Sequence, residues 1–425
     1  MVLVAAIALC GCSSGSTKPD AGPPVGGSSG ALGGGGSSVG GVGGQGDAGG
    51  AGGAVPVPLA NVVSISPGYF VTCAALADGT ARCWGDNGSG RLAVGVPDLR
   101  VNLARPVIGV VGATVVSAGD RHQCALLTAG TVACWGQALS GQLGDGVTPT
   151  TTVAGPVMVA NLVDAATLSV GADFTCALRA TGAVGCWGKN DMGQVGSAAP
   201  AGTATLTNVA GVSGALGVSA GWVHGCAIVE GTALSGGMVQ CWGHNVGGVF
   251  GDEAPAGSPG PTNADGLPAP VTGLSTATAV AAGRGHSCAL LADGTVTCWG
   301  LGIDGQLGDG RGTTSLVPVV VSGLTDKVTA LSVGNDHACA LLKAGTIQCW
   351  GKNESGEIGD GTTNDATVAV AVPGLAGVTA VAAGTSHTCA VLADRSAVCW
   401  GDNQYGELGD GTVTASLAPV VVKGP

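Results

Sequence analysis

Short apolar runs punctuated by Gly and Asp-Gly turns recur along most of this chain. The pattern is clearest in residues 283–310, GRGHSCALLADGTVTCWGLGIDGQLGDG. Within it Cys288-Ala289-Leu290-Leu291 and Thr295-Val296-Thr297-Cys298-Trp299 flank Ala292-Asp293-Gly294. Runs this short, joined by a tight turn, predict a β-hairpin. Asp before Gly suits a type I turn followed by a residue at positive φ, which Gly adopts without a Cβ penalty. The Cys-Trp-Gly signature returns at Cys83, Cys134, Cys186, Cys241, Cys298, Cys349 and Cys399, spaced by 51, 52, 55, 57, 51 and 50 residues.

The three-residue loop sets Leu291 against Thr295, and counting outward sets Cys288 against Cys298. Facing Cα atoms of an antiparallel pair lie ~4.5–5.5 Å apart, inside the disulfide range. The same count pairs Cys73 with Cys83, Cys124 with Cys134, Cys176 with Cys186, Cys226 with Cys241, Cys339 with Cys349, and Cys389 with Cys399. The Cys226–Cys241 hairpin is lengthened by residues 230–237. Period-2 alternation puts His286, Cys288, Leu290, Val296 and Cys298 on one face, and Ala289, Leu291 and Trp299 on the other. Both faces carry apolar bulk, so each sheet needs cover on both sides, which copies stacked radially provide.

The order G-x-x-H-x-C-A-L, D-G-T-V-x-C-W-G and G-Q-L-G-D-G resembles the repeat of the regulator of chromosome condensation family, over roughly residues 60–425. That resemblance implies an all-β, seven-bladed propeller of four-stranded antiparallel blades. Each copy has a leading strand ending in Gly, the two cysteine strands, and a fourth strand often begun by Pro-Val. These are Pro106-Val107, Pro156-Val157, Pro270-Val271, Pro318-Val319, Val370-Ala371 and Pro419–Val422, with the third copy blurred near 205–212. Counted this way, the C-terminal strand has no later copy to join. It is expected to close the ring by joining the blade begun at Val62, with Val55–Leu59 as its rival. Closure removes open sheet edges.

A formal charge of −12, with only 15 scattered Lys and Arg among 425 residues, leaves no basic stripe for nucleic acid. Residues 1–12, MVLVAAIALCGC, read as a signal peptide whose Leu9-Cys10-Gly11-Cys12 resembles a lipobox, with Cys12 the lipidated residue. No Lys or Arg precedes the apolar run, a departure from that pattern. Residues 13–55 are Gly- and Ser-rich, predicting a disordered leash with a reach of ~35–40 Å, and 56–425 is the propeller. Of 16 cysteines, Cys10 leaves with the signal, Cys12 takes the lipid, and 14 form seven pairs with none over. Such pairing belongs to an exported chain. Buried free thiols are the alternative; zinc fits poorly, because the pairs lack close His and Cys clusters.

His122, His224, His286, His337 and His387 share one repeat position with Val71 and Phe174. A position that accepts Val and Phe is an inter-blade packing site rather than a proton relay, with imidazole nitrogens expected to bond backbone. Asp78, Asp145, Asp293, Asp309, Asp360 and Asp410 read as turn formers. Asp360, Asn364 and Asp365 come nearest to a Ca²⁺ loop without its closely spaced ligand run. No catalytic, cofactor or metal residue is assigned. Blade four departs most from the repeat. Trp222, with His244, Phe250, Asp252 and Glu253 in the long loop 244–270, forms the candidate partner-binding set; an insertion with Trp222 capping the blade is the plainer alternative. Arg91 to Arg105 is a second variable stretch on the same side. The expected protein is an exported scaffold, anchored to the membrane through its N-terminal lipid alone, with an extracytoplasmic protein as partner. The alternatives are guanine-nucleotide exchange, the activity the resemblance implies for the founding member, and a hydrolase or lyase using the mouth of the propeller.

Overall fold

The computed structural model describes residues 55–147, 153–197, 202–231, 236–253 and 268–425. The readings of residues 1–54, including Cys12, lie outside them. Seven antiparallel blades follow one another in chain order, beginning at Val62, Ala113, Ala165, Ala215, Ala277, Val328 and Val378. Each hairpin has the register the turn dictates: Cys288 faces Cys298, and the same holds in all seven blades. The seven disulfides join those facing residues at Cα separations of 4.0–4.1 Å, and every cysteine in them is fully buried. Among the described residues no helix is long and apolar enough to cross a membrane.

The blades are held to one another by side chains that the repeat supplies at fixed positions. A Trp from each Cys-Trp-Gly is buried between blades, and six of the seven indoles donate to a carbonyl of the preceding blade. Examples are Trp187 to Gln142, Trp299 to Val249 and Trp400 to Glu357, at 2.8–2.9 Å. Serine hydroxyls of the innermost strands accept from the next blade, as Ser117 does from the Val170 amide at 3.0 Å. Glycine closes the innermost ring. A Cβ on Gly119 would stand 2.2 Å from the carbonyl oxygen of Gly171, and one on Gly334 at 2.2 Å from that of Gly384. Close approach of neighbouring backbones, rather than a positive φ, demands Gly there.

The C-terminal strand departs from the expectation. Ser416–Val421 pairs with Ala397–Gly401 and completes the seventh blade, while the first blade has its own fourth strand, Arg100–Val111. Each fourth strand turns back onto its own Cys-Trp-Gly strand, because the intervening loop is short enough for an antiparallel return. The two ends of the propeller meet instead as a two-residue pairing of Val57–Pro58 with Lys423–Gly424, reinforced by the Leu59 amide on the Val422 carbonyl at 2.8 Å. At the same seam Trp84 donates to the Glu407 carbonyl, and Thr72 bonds His387 at 2.7 Å. The blurred stretch of the third copy is an ordinary fourth strand, Gly202–Asn208. The fourth blade's outer strand shrinks to Ala269–Pro270.

Candidate functional site

The shared histidines are structural, and their partners are more specific than backbone. His122 meets the Thr175 hydroxyl at 2.7 Å, His224 meets Ser287 at 2.9 Å and His337 meets Thr388 at 2.9 Å. Each hydroxyl belongs to the following blade. In the sixth blade Ala338 holds that position, and both nitrogens of His286 are left without a partner. Burial drives the histidines down, to about 3 for His122, His224, His286 and His387 and about 4 for His337. They stay neutral.

The oxygen-rich loop around Asp360 is also filled from within. Asn353 donates its amide to the carbonyls of Thr362 and Asn364 at 3.1 and 3.0 Å, and its carbonyl accepts from Ile358 at 2.9 Å. Asp365 accepts the Asn353 backbone amide at 2.8 Å. An NH₂ group thus occupies the centre a cation would need. Asn403 repeats the arrangement in the seventh blade. Among the described residues no group of three or more His, Cys, Asp or Glu is placed to hold a metal.

Where the innermost and second strands turn, the ring opens into a cavity of about 700 Å³. The residue after the ring glycine faces this mouth in six blades, as Tyr69, Asp120, Trp222, Arg284, Asn335 and Thr385. Asp120, Trp222 and Asn335 also line the narrow space below and so form the floor. Trp222 is 40% exposed; the other seven tryptophans are buried. The Arg284 guanidinium lies 4.9 Å from its ring centre.

Five of the chain's 15 basic residues converge on this cavity, each with a carboxylate beside it. Arg121 reaches Asp173 at 3.7 Å, Arg284 reaches Asp336 at 3.7 Å and Lys352 reaches Glu354 at 2.9 Å. Arg91 meets Asp86 at 2.9 Å, and Lys189 meets Asp191 at 3.2 Å. Burial raises Asp336, takes the half-buried Asp120 to about 6, and takes Glu357 at the cavity wall to about 7.

Aromatic residues show the same bias toward this face. The chain has 13 of them. Seven tryptophans, Phe174 and Phe250 are buried in the core. The remaining four, Tyr69, Phe70, Trp222 and Tyr405, all sit in turns or loops on this side. Tyr69, Phe70 and Tyr405 stack in sequence, with ring centres 3.9 and 4.6 Å apart, and Arg100 covers Tyr405.

The candidate set from blade four is dispersed. Trp222 lines the cavity, whereas His244, Asp252 and Glu253 do not. Glu253 is exposed, with its amide on the Leu316 carbonyl of the fifth blade at 3.3 Å. Phe250 corrects the expectation: it is 0% exposed, packed with Trp299 and Val271, and presents nothing to solvent. Arg91 reaches the mouth, as its side of the ring led us to expect. The residues that sequence reading missed share one signal. The position after the ring glycine reads Tyr, Asp, Ala, Trp, Arg, Asn and Thr in the seven copies, between a ring glycine and a cysteine strand that all of them keep.

A family profile described as the regulator of chromosome condensation (RCC1) repeat matches residues 62–91, 166–194, 277–306, 328–357 and 378–407, and a second of that description matches 293–341 and 344–391. The human E3 ubiquitin-protein ligase HERC2 is 29% identical over 329 residues, covering 73% of this chain and 6% of the ligase. The Arabidopsis thaliana ultraviolet-B receptor UVR8 is 28% identical over 257 residues, covering 59% of this chain and 56% of the receptor. The chain thus spans little more than half the length of one of these relatives and a small part of the other. Human WBSCR16 superimposes with a TM-score of 0.69 at 23% identity, covering 78% of this chain and 87% of that one. Yeast RCC1 (Prp20), solved with Kap60, gives 0.68 at 19% identity, with 85% of each chain covered. These two structures establish likeness of fold.

Proposed function

We propose that this chain, in which RCC1 repeats build a seven-bladed propeller, is an exported, lipid-anchored scaffold that presents one face of its ring to an extracytoplasmic protein. The concentration of every exposed aromatic on the face of the polar mouth carries the reading. Aromatic and Arg side chains in partly desolvated settings are the usual energetic anchors of interfaces, and the opposite face, with its Asp-Gly hairpin turns, has none of the aromatics. Seven fully buried disulfides suggest an oxidising compartment outside the cytoplasm. In this reading Cys12 takes the lipid, and residues 13–55 hold the propeller clear of the membrane. Neither nucleic acid nor lipid headgroups are partners, because the basic residues at the mouth are already paired with carboxylates.

Affinity capture from envelope extracts tests the scaffold. Trp222→Ala and Glu253→Ala are the informative variants, since deleting loop 244–270 would also pull Phe250 out of the core. A partner retained by the unaltered protein and lost with Trp222→Ala supports the reading; capture unchanged by both variants removes blade four from it. Globomycin-sensitive processing with fatty-acid labelling, lost in Cys12→Ser, tests the anchor. Export without label leaves secretion alone.

A further inference from the structure

We infer that the mouth cavity is a binding site for a neutral oligosaccharide, with Trp222 as its stacking platform and the paired Arg and Asp side chains around it as hydroxyl ligands. The inference goes beyond the scaffold reading and does not depend on it.

Size comes first. About 700 Å³ falls within the range of ~300–1,000 Å³ typical of small-molecule sites, but those are usually apolar. Among the described lining residues Trp222 and Tyr69 bring the only indole or phenol surface, among guanidinium, ammonium, imidazole, carboxylate, amide and hydroxyl groups. A ligand matched to such walls needs many donors and acceptors together with some apolar face.

Charge then narrows the class. A site for an anion leaves cations unpaired to attract it, and this one does not; the lining carboxyls Asp120 and Glu357 make no ion pair among the described residues and add acceptors to the wall. All five basic groups at the mouth stand beside a carboxylate. The pairs cancel as point charges but keep hydrogen-bonding capacity, because a guanidinium has five N–H donors and a carboxylate about four acceptor sites. Held in place by each other, they present fixed donor–acceptor edges of the kind adjacent hydroxyls on a sugar ring satisfy from both sides.

The aromatic floor supplies the third element. A sugar ring has an apolar C–H face that packs on an indole, and an indole already fixed in place loses little entropy on binding. Trp222 is held by its backbone amide on the Gly283 carbonyl at 3.1 Å and by Arg284 over its ring, yet remains 40% exposed. Gln137 and Thr385, also at the wall, each keep a buried side-chain oxygen with no partner among the described residues. A peptide is the poorer occupant, because the rim is made of turns and offers neither a free strand edge nor an apolar groove.

The fold provides its own reporter, since Trp222 is the one exposed indole of eight. The full chain is titrated with maltohexaose, cellohexaose, xylohexaose, mannohexaose and chitohexaose, followed by tryptophan emission and calorimetry. Hexaglutamate, hexalysine and inorganic phosphate are the charged controls. The expected result is saturable binding of at least one neutral hexasaccharide, an emission change absent from Trp222→Phe, and affinity constant within about twofold from low salt to roughly 0.5 M NaCl, as for an uncharged ligand. Tyr69→Ala and Asp173→Asn, with melting curves as in the unaltered protein, are each expected to weaken binding about tenfold. No saturable heat with any of the five sugars overturns the inference, as does tighter binding of a charged control or affinity unchanged in both variants. Capture of a protein without sugar binding sinks this inference alone; the reverse sinks only the scaffold.

Discussion

Arg284 and Trp222 are neighbours across a blade boundary, with the guanidinium carbon 4.9 Å from the indole ring centre. The same guanidinium reaches Asp336 at 3.7 Å, so one side chain from the fifth blade links the fourth and the sixth over the mouth. Cation–π pairs at exposed sites contribute ~0.5–1 kcal/mol and exposed ion pairs about the same or less. With Arg284 half exposed, its role is to hold Trp222 in place rather than to hold the fold.

Arg284→Ala is therefore expected to lower the melting temperature only slightly while raising acrylamide quenching of the one accessible tryptophan. Loss of cooperative unfolding in this variant would show that the contact supports the ring after all.

The histidine seams give a pair of substitutions with opposite signs. Thr175→Val leaves the buried Nε2 of His122 without its 2.7 Å partner and is expected to destabilise by ~1–3 kcal/mol. Ala338→Ser places a hydroxyl where Ser287 and Thr388 stand in their blades, within reach of the unpartnered His286, and is expected to stabilise by ~0.5–1.5 kcal/mol. Chemical denaturation with a common m-value measures both; equal signs would refute the seam.

Two sets of buried groups set the pH dependence in opposite directions. The histidines fall from 6.5 to about 3 or 4, so the unfolded chain takes up protons first, and stability is lost as pH falls below 6.5. Glu357 and Glu407 rise from 4.5 to about 7, chiefly through burial, so the folded chain holds their protons longer, and stability is lost as pH rises from 4.5 through 7. A maximum near pH 6–7 is expected. Three other blades place Gln142, Gln194 and Gln306 at the position of these two glutamates, accepting the same local backbone amide. Glu357→Gln with Glu407→Gln should raise stability at pH 8 relative to pH 5 and steepen the fall between pH 6.5 and 5, because the opposing contribution of the two carboxyls is gone. Melting temperatures at pH 5, 6.5 and 8 decide it.

The sulfur bridges are tested by thiol titration. The denatured, unreduced propeller is expected to release almost no free thiol from its 14 paired cysteines, and reduction should lower stability, each short loop contributing about 2–3 kcal/mol on the chain-entropy view. A count near 14 before reduction would remove the argument for an oxidising compartment.

Local rules made the blades legible. A three-residue Asp-Gly loop fixes register, register sets cysteine against cysteine, and alternation leaves both faces in need of cover; all of this acts within about 50 residues of chain. Ring closure was not legible, because whether a fourth strand pairs backward or forward depends on loop geometry. Ser416–Val421 turned back where a forward join was expected. Nor did exposure follow from residue type: Phe250 and Trp222 are both off-pattern aromatics of one blade, yet one is buried with Val271 and Trp299 and the other lies open at the mouth. The mouth itself is written as single positions some 50 residues apart, Tyr69, Asp120, Trp222, Arg284 and their equivalents. No local interaction connects them along the chain. They become one site only when seven strands converge on a common axis, and that convergence belongs to the tertiary structure alone.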